Sequence, residues 1–492
     1  MLIQETHKRL YRWHSKGAYW TSIFLLILCV TAIPVVFNSE LQQYVFSSAL
    51  KEQSTRALSH DEIATLSISQ LSLNESEFFV DVDENGLPST LWWWEEATHK
   101  FHAFIPNASS KLQAVPEIEA TTVIALAHYE FLIPDPYGEY FVGFIGLFTL
   151  VIVVIGVLLH VKWRKEKTQF RKKRSFRLWS SDLHKLLGFW LLPYHLLVTY
   201  TGTILGLGGL LLIMSAMSSF EGDQEAAVAA VLGEEPTYAA NECDMLSIDD
   251  LLTKAEVHWN KKYGRNKLSS YDIHYYQDCH AVLGINSKIP GYLLLSNRLS
   301  YSLVDGSLQQ EIDWLDASVG DRWYALLGPL HYGHFAGYFG RWFYVISALV
   351  LVGLIITGLL LWVDKQQSQP LDNKIEYFYQ HPLLKLSVAV TIAIAFTTYN
   401  MLIIAKGLPS VFDTYSATGL YLTSFFIATL IVYFFTGYLV TYLYTLVLLS
   451  IGLISLDFTY SNNPINGVNL SLAVFAIAYI AIGRKLQKHK TC

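Results

Sequence analysis

Histidines beside long apolar segments are the residues in this sequence whose type and spacing suit chemistry. Seven of them lie in or next to such segments: His14, His128, His160, His184, His195, His331 and His334. Ionisable side chains inside a membrane are costly to bury and usually mark a functional site. Because imidazole is a common axial ligand of haem iron, the pattern predicts haem ligation within a membrane-embedded bundle.

The third apolar segment, residues 183–213, carries two of these histidines. His184 and His195 are eleven residues apart, which on one continuous helix brings them within about 20° of the same face and about 16 Å apart along the axis. That helix face would present two imidazoles at two depths. The spacing therefore predicts two stacked haems, each iron taking its second axial ligand from another helix.

The partners of these two histidines follow from their expected depths. His14 should lie as deep as His184, and this is the predicted inner pair. For the outer haem, His195 is expected to pair with His331 or His334. An alternative outer pair, His128 with His331, follows from the internal repeat described below. The predicted cofactor is haem b, in two copies.

The composition requires a membrane around these residues. Hydrophobic residues make up 52% of the 492 residues, charged residues only 15%, and the mean hydropathy is +0.32. A single soluble core cannot hide that much apolar surface, so the excess must face a lipid bilayer. The formal charge of −6 is segregated along the chain, and no nucleic-acid partner is expected.

A spanning helix needs about 20 mostly apolar residues, and the sequence offers about eight such helices. The fold class predicted is a polytopic α-helical membrane protein. Single spans are expected within 1–37, 138–163, 183–213 and 338–364, and a bundle of about four within 383–484, where 417–458 suits a hairpin of two helices.

Basic residues near helix ends predict the orientation. With eight spans, the N-terminus, the loops 164–182 and 365–382, and the tail 485–492 all fall on one side. That side is expected to be the cytoplasm, and the membrane is expected to be a bacterial inner membrane. Segments 38–137 and 214–337 then lie in the periplasm, and each mixes a helical pattern with strand-like runs, which predicts two small α+β domains. Cys243 and Cys279 share the second segment, where oxidation allows a disulfide.

An internal duplication links the two outer segments and their flanking helices. "RWHSKGAYW" (12–20) and "DLHKLLGFW" (182–190) each place a tryptophan six residues after a histidine. "ALAHYEF" (125–131) and "GPLHYGHF" (328–335) close the two outer segments in the same way. The sequence therefore repeats a unit of helix, outer domain and helix.

These motifs, together with Thr201-Gly202 and Thr357-Gly358, resemble the PepSY-associated transmembrane family. That family includes iron-regulated inner-membrane proteins and ferric-siderophore reductases, and the resemblance covers roughly residues 1–365. It implies a haem-containing core, two PepSY-like outer domains, and reduction of iron delivered as a ferric siderophore or another Fe(III) chelate. The first half reads "VTAIP" where the second reads "YTG", and the C-terminal helices lie outside the resemblance.

The expected activity is therefore that of a ferric-siderophore reductase. No flavin or nicotinamide fingerprint is found, so the expected electron donor is a quinol or a cytoplasmic protein. Two other classes remain open: a regulator whose outer domains bind a partner without redox activity, and a transporter. Neither needs aligned intramembrane imidazoles.

Overall fold

The computed structural model describes residues 2–50, 58–73, 77–82, 89–95, 100–107, 109–160, 168–171, 175–232, 236–366, 381–435, 438–460 and 467–490. The predicted basic loop 164–182 lies partly, and the loop 365–382 almost wholly, outside the described residues. The backbone of His334 is described, but its side chain is not.

The duplicated region supplies twelve of the described helices. In chain order they are α1 (Leu2–Val35), α2 (Asn38–Leu50), α3 (His60–Ser69), α4 (Ile118–Tyr129), α5 (Tyr137–Leu159), α6 (Phe176–Trp190), α7 (Leu192–Gly206), α8 (Gly208–Ser219), α9 (Gln224–Leu232), α10 (Ile248–Tyr263), α11 (Val319–Tyr332) and α12 (Gly337–Gln366). Of these, α3 and α10 pack with the sheet of the outer domain. Helix α1 packs against α5 and α12, α5 packs against α7, and α6 packs against α12. The bundle therefore has two similar halves.

The C-terminal region contains α13 (Pro382–Gly407), α14 (Val411–Thr414), α15 (Ala417–Phe434), α16 (Leu439–Tyr460) and α17 (Gly467–Lys490). Within the described ranges, seven single helices are long and apolar enough to cross a membrane. An eighth span results if α7 and α8, which meet at 60°, are taken together. The predicted division of 417–458 into two helices is confirmed as α15 and α16, which pack mainly against α13 and α17, respectively, rather than against each other.

The third apolar segment is not one helix. Helix α6 ends at Trp190, α7 begins at Leu192, and Pro193 lies in the first turn of α7. Proline lacks the backbone N–H that a continuing helix needs, which explains the break. The prediction of one uninterrupted helix face carrying His184 and His195 is therefore wrong.

Close approach of α5 and α7 depends on glycine. A Cβ placed on Gly206 would lie 2.8 Å from the Cα of Gly143, and one on Gly143 would lie 2.7 Å from the carbonyl carbon of Gly206. Real Cβ atoms do not come that close to backbone. The two helices therefore contact each other through their backbones, as small residues permit in membrane bundles.

The two outer segments share one antiparallel sheet of eight strands, in the order β4-β3-β2-β1-β5-β6-β7-β8. The first segment supplies β1 (Glu77–Asp81), β2 (Thr90–Glu95), β3 (Lys100–Pro106) and β4 (Leu112–Ala114). The second supplies β5 (Lys267–His274), β6 (Val282–Lys288), β7 (Asn297–Ser302) and β8 (Leu308–Ile312). The expected α+β segments are thus joined edge to edge, because β1 pairs with β5. Such pairing removes two exposed strand edges.

Helices α3 and α10 cap each other across the two halves. The Asp61 carboxylate accepts hydrogen bonds from Ser247 Oγ and the Ile248 N–H, both at 2.6 Å. In return, the Asp249 carboxylate accepts from the backbone N–H groups of His60 and Asp61, at 3.3 and 3.2 Å. Carboxylates are favoured at helix N-termini because they satisfy the unpaired N–H groups there.

A buried ionic network lies where the half-sheets join. His274 Nε2 lies 3.1 Å from Glu77 Oε1, across the β1–β5 seam, and 3.3 Å from Asp272 Oδ2. Arg298 donates to both oxygens of Asp272, at 2.5 and 2.6 Å. Gly284 makes room for this contact, since a Cβ there would lie 2.0 Å from an Arg298 nitrogen. With Arg298 holding both Asp272 oxygens, the cluster is an ion-pair network and not a metal site.

This network makes the stability of the outer domain depend on pH. Burial alone would lower the pKa of His274, but hydrogen bonds to Asp272 and Glu77 raise it to about 9. A raised histidine pKa stabilises the fold fully below the unfolded value of about 6.5 and loses that effect as pH rises through about 9. We expect the Tm of the outer domain to fall between pH 7 and pH 9.5, followed by circular dichroism. In the His274→Gln variant this fall should be weaker, and an equally steep fall would contradict the assignment.

Cys243 and Cys279 form a disulfide with a Cα–Cα distance of 4.9 Å. It joins the chain before α10 to the turn after β5, near the isolated bridge between Glu242 and Asp278. The core beneath includes the fully buried side chains of Trp259 and Tyr271. A small outer domain gains stability from such a covalent link.

The C-terminal helices pack against α2 and α4 and contain a buried ion pair. Lys406 Nζ donates to Asp457 Oδ1, and Asn469 Nδ2 donates to Asp457 Oδ2 at 2.7 Å. The ammonium group also lies 4.0 Å from the centre of the Tyr44 ring. Buried charges in a membrane bundle are tolerated when they are paired in this way. These contacts link α13, α16 and α17 to α2.

Candidate functional site

The first pair of histidines lies at the end of the bundle remote from the sheet. His14 on α1 and His184 on α6 have ring centroids 6.3 Å apart, with their planes inclined at 74°. Two imidazoles bound on opposite sides of one metal ion, with metal–nitrogen bonds of about 2 Å, have ring centres roughly 6 Å apart. The separation therefore leaves room for one ion between the two rings.

Backbone carbonyls set the orientation of both rings. His14 Nδ1 lies 3.0 Å from the Ile152 carbonyl oxygen, and His184 Nδ1 lies 3.0 Å from the Leu354 carbonyl oxygen. Because a carbonyl only accepts, each Nδ1 must carry the proton. Nε2 of each ring is then unprotonated, as metal binding requires, and among the described residues neither Nε2 has a hydrogen bond.

A glycine lies beneath each ring of this pair. A Cβ on Gly156 would lie 3.1 Å from His14 Cε1, and a Cβ on Gly358 would lie 3.2 Å from His184 Cε1. Each glycine is four residues beyond the carbonyl that holds the same ring, in Ile152 and Leu354 respectively. One helical turn of α5 and one of α12 thus each combine a carbonyl and a glycine that hold one ring, an arrangement that we call the glycine cradle.

The second pair, His128 and His331, lies at the sheet end of the bundle. His128 Nδ1 is 3.1 Å from Thr31 Oγ1, and His331 Nδ1 is 2.9 Å from Thr201 Oγ1. Each threonine hydroxyl already gives its proton to a carbonyl of its own helix, at 2.7 and 2.8 Å. The hydroxyls therefore accept from Nδ1–H, and both Nε2 atoms are again left unprotonated.

An electrostatic interaction links these two rings, and no ring contact between them is found among the described residues. Burial, followed by the proximity of His128, lowers the pKa of His331 to about 4. Burial likewise lowers the pKa of His128 to about 4. Both rings are therefore neutral at physiological pH, which is the form that binds a metal. A Cβ on Gly202 would lie 3.0 Å from His331 Cε1, so this ring too rests on a glycine.

The two pairs are separated along the bundle by the same helical length in both halves. Thr31 follows His14 by 17 residues, and Thr201 follows His184 by 17 residues. On α1, that spacing corresponds to about 25 Å along the axis. The structure therefore holds two similar imidazole pairs at two depths, one near each end of the spans.

The structure places the predicted ligand His195 at the break between α6 and α7. Its ring is buried, with 1% exposed, and Nε2 lies 3.4 Å from the Leu187 carbonyl oxygen, across the break between α6 and α7. Nε2 is therefore the protonated nitrogen, whereas Nδ1 has no hydrogen-bond partner among the described residues. In the described part of the chain, no ring contact joins His331 to either His195 or His128. The His195 Nε2–H thus supplies a hydrogen bond to a carbonyl next to the break in the helix.

Two further predicted histidines have separate surroundings. His334 begins a short 3-10 helix, His334–Ala336, directly after α11, and its side chain lies outside the described residues. His160 follows the last residue of α5, and its ring centre lies 6.5 Å from that of Phe189. The structure thus brings His14 into ring contact with His184, and it relates His128 to His331 by their matching threonine contacts and their electrostatic interaction.

Sequence reasoning missed the residues that hold the rings. Thr31, Gly156 and the carbonyls of Ile152 and Leu354 carry no motif of their own. Thr201-Gly202 and Thr357-Gly358 were visible as repeated pairs, but only as part of a resemblance. The equal 17-residue spacing to Thr31 and Thr201 was the signal that would have identified the second pair.

Comparisons with known proteins agree with this architecture. A family model described as "PepSY-associated TM region" matches residues 9–365, which include all four paired histidines. The chain is similar to an uncharacterized protein, PA4219, of Pseudomonas aeruginosa, with 26% identity over 241 residues. That alignment covers 47% of this chain and 61% of the relative, so the chain spans about three fifths of the relative's length.

Proposed function

Because the chain belongs to the family of PepSY-associated transmembrane regions, we propose that it is a haem-containing membrane oxidoreductase that reduces ferric iron. The iron would be held in a siderophore or another chelate. His14 with His184, and His128 with His331, are the proposed axial ligands of two b haems. Bound haem would supply one-electron transfer between the two ends of the bundle.

The chemistry of the donor set fits that cofactor. All four paired histidines have Nδ1–H tied to a fixed oxygen, which fixes the ring orientation and makes Nε2 more basic. Neutral imidazoles in apolar surroundings are typical axial ligands of haem iron. This shared arrangement of four rings, in two pairs at two depths, is the observation that carries the proposal.

The outer pair lies beside two partly exposed tyrosines, and we propose that the iron chelate approaches there. Both histidines are followed by a tyrosine, and Tyr129 and Tyr332 are 39% and 50% exposed. The Tyr332 ring centre lies 5.7 Å from that of His331. The pKa of Tyr129 is raised to about 12, by burial first and then by nearby charges that include Glu130 and Tyr332. The two tyrosines therefore extend from the buried pair to the surface.

We propose the orientation that the basic residues indicate. The sheet would lie in the periplasm of a bacterial inner membrane, with both termini and the His14–His184 pair at the cytoplasmic side. Fe(III) gains one electron and becomes Fe(II) at the sheet end. Hard oxygen donors bind Fe(II) less strongly than Fe(III), so reduction releases the metal for uptake.

The glycine cradle gives a direct test of ligation. We expect Gly358→Val to lower the haem bound per chain, because the added side chain would displace the His184 ring. Haem is measured by the pyridine haemochrome absorbance of purified protein. Gly452→Val is the matched control, since a Cβ at Gly452 meets nothing within 4 Å. Equal haem loss in both variants would count against a specific role for the cradle.

The activity is tested with purified protein reduced by dithionite and freed of excess reductant. Adding a ferric trihydroxamate should reoxidise the haem absorbance and produce about one Fe(II) per haem, measured with ferrozine. A reduced haem spectrum that ferric chelates do not change would contradict the proposal. A preparation that contains no haem would favour the regulator or the transporter.

A further inference from the structure

A cavity of about 130 Å³ lies between the duplicated bundle and the C-terminal helices. Its walls come from the last turns of α1 with the start of α2, from the middle of α13, and from α17. Pro34, Phe37, Ala395 and Phe475 are among its apolar lining residues, and no charged residue lines it. The cavity therefore suits an uncharged, largely apolar molecule.

Hydroxyl groups provide the polar part of this wall. Thr398, Tyr399, Ser471 and Tyr479 line the cavity, and Tyr399 hydrogen-bonds both Tyr479 and Ser450. Tyrosine side chains on α13 and α17 are thus held together at one side of an apolar space. A ligand with one or two oxygens on a flat ring would match apolar walls with a few hydroxyls.

The cavity lies close to the second histidine pair. Val30 lines it, and the next residue on α1 is Thr31, whose hydroxyl accepts the His128 Nδ1 proton. The cavity and His128 are therefore on either side of the same helix turn, separated by about one helix diameter, or roughly 10 Å. A redox-active occupant would be next to the proposed electron path.

We infer that this cavity binds the ring of an isoprenoid quinol, whose tail would lie outside it in the bilayer, and that this quinol is the electron donor. The inference rests on the proposed function and adds the donor to it. The quinol would lose two hydrogen atoms as two protons and two electrons, breaking two O–H bonds and becoming the quinone. The two electrons would reduce two Fe(III) to two Fe(II), which balances the reaction. The hydroxyls of Tyr399 and Tyr479 would orient the ring.

The test uses the full chain purified in detergent, with decylubiquinol as the probe. Organic extracts of protein incubated with its oxidised form should contain about one quinone per chain. Ala395→Phe fills the cavity and should reduce this retention about tenfold. Ile477→Phe is the control, since Ile477 is on α17 but 67% exposed. Tyr399→Phe, a milder change, should weaken retention and leave the cavity volume unchanged.

A second readout separates the two proposals. In wild type and Ile477→Phe, decylubiquinol and dithionite should both reduce the haem, whereas in Ala395→Phe only dithionite should do so. Suppose that the wild type retains no quinone and that its haem is reduced by dithionite but not by decylubiquinol. This result would overturn the quinol site but would not affect the proposed ferric reduction. Quinone retained by a haem-free wild type would support the site and overturn the proposed function. Extracts with only phospholipid acyl chains would overturn the inference.

Discussion

The His184→Ala variant is expected to bind about one haem per chain where the wild type binds two, because the inner pair loses an axial ligand. Second-sphere groups alone change metal affinity by about 10–100-fold, so loss of a ligand should have a larger effect. The haem-to-chain ratio is measured by pyridine haemochrome absorbance against protein concentration. His14→Ala should give the same ratio, since both rings would serve one iron.

The double variant His14→Ala/His184→Ala makes this prediction sharper. When two residues act as one unit, the effects of substituting them do not add. The double variant should therefore lose no more haem than either single variant. His195→Ala is the control, because the His195 Nε2–H donates its hydrogen bond to the Leu187 carbonyl. Loss of one haem in His195→Ala would restore the outer pair predicted from the sequence, whereas full retention in His184→Ala would contradict the inner pair.

His331→Ala is expected to abolish ferric reduction while the inner haem is retained. The outer pair adjoins the exposed Tyr129 and Tyr332, so without it the electron cannot reach a chelate at the surface. Fe(II) formation after dithionite reduction should fall by about 100-fold or more. The remaining haem should still show a reducible low-spin spectrum.

Thr201→Val provides a graded comparison for that variant. Valine has the shape of threonine but cannot accept a hydrogen bond from His331 Nδ1, which lies 2.9 Å from Thr201 Oγ1. Haem affinity at the outer site should fall by about 10–100-fold, and His331 remains in place. Wild-type rates of ferric reduction in His331→Ala would show that the outer pair is not on the electron path.

The sequence predicted the residues of the site better than their pairing. Ionisable groups in apolar segments and the repeated His-Trp spacing identified every histidine that the structure pairs. The inner pair followed directly, since His14 and His184 occupy equivalent places in the repeat. The outer pair appeared only as the alternative, because helical periodicity across 183–213 favoured His195. Pro193 interrupts that helical periodicity. From the sequence alone, a proline that ends a helix is hard to distinguish from one that only kinks it.

The outer domains show another limit of sequence analysis. Strand-like runs and helical patterns placed a small α+β unit in each segment, but they contain no information on which edges meet. The β1–β5 pairing depends on contacts between residues almost two hundred positions apart, such as Glu77 with His274. The reciprocal caps of Asp61 and Asp249 depend on the same long-range association. Local patterns cannot encode such partners.

The C-terminal helices were predicted in number, but not in packing or role. Their apolar composition says only that they cross the membrane. The ion pair between Lys406 and Asp457 joins them to α2, and the cavity beside Thr31 lies between them and α1. These helices support the second histidine pair. In the inferred role, they also form half of the site that binds the electron donor.

The haem content and spin state of the purified full chain test the central claim most directly. We predict two haems per chain, both low-spin in electron paramagnetic resonance because each iron has two imidazole ligands. A colourless preparation from cells well supplied with haem would contradict the account. A single high-spin haem with one free axial position would contradict it equally.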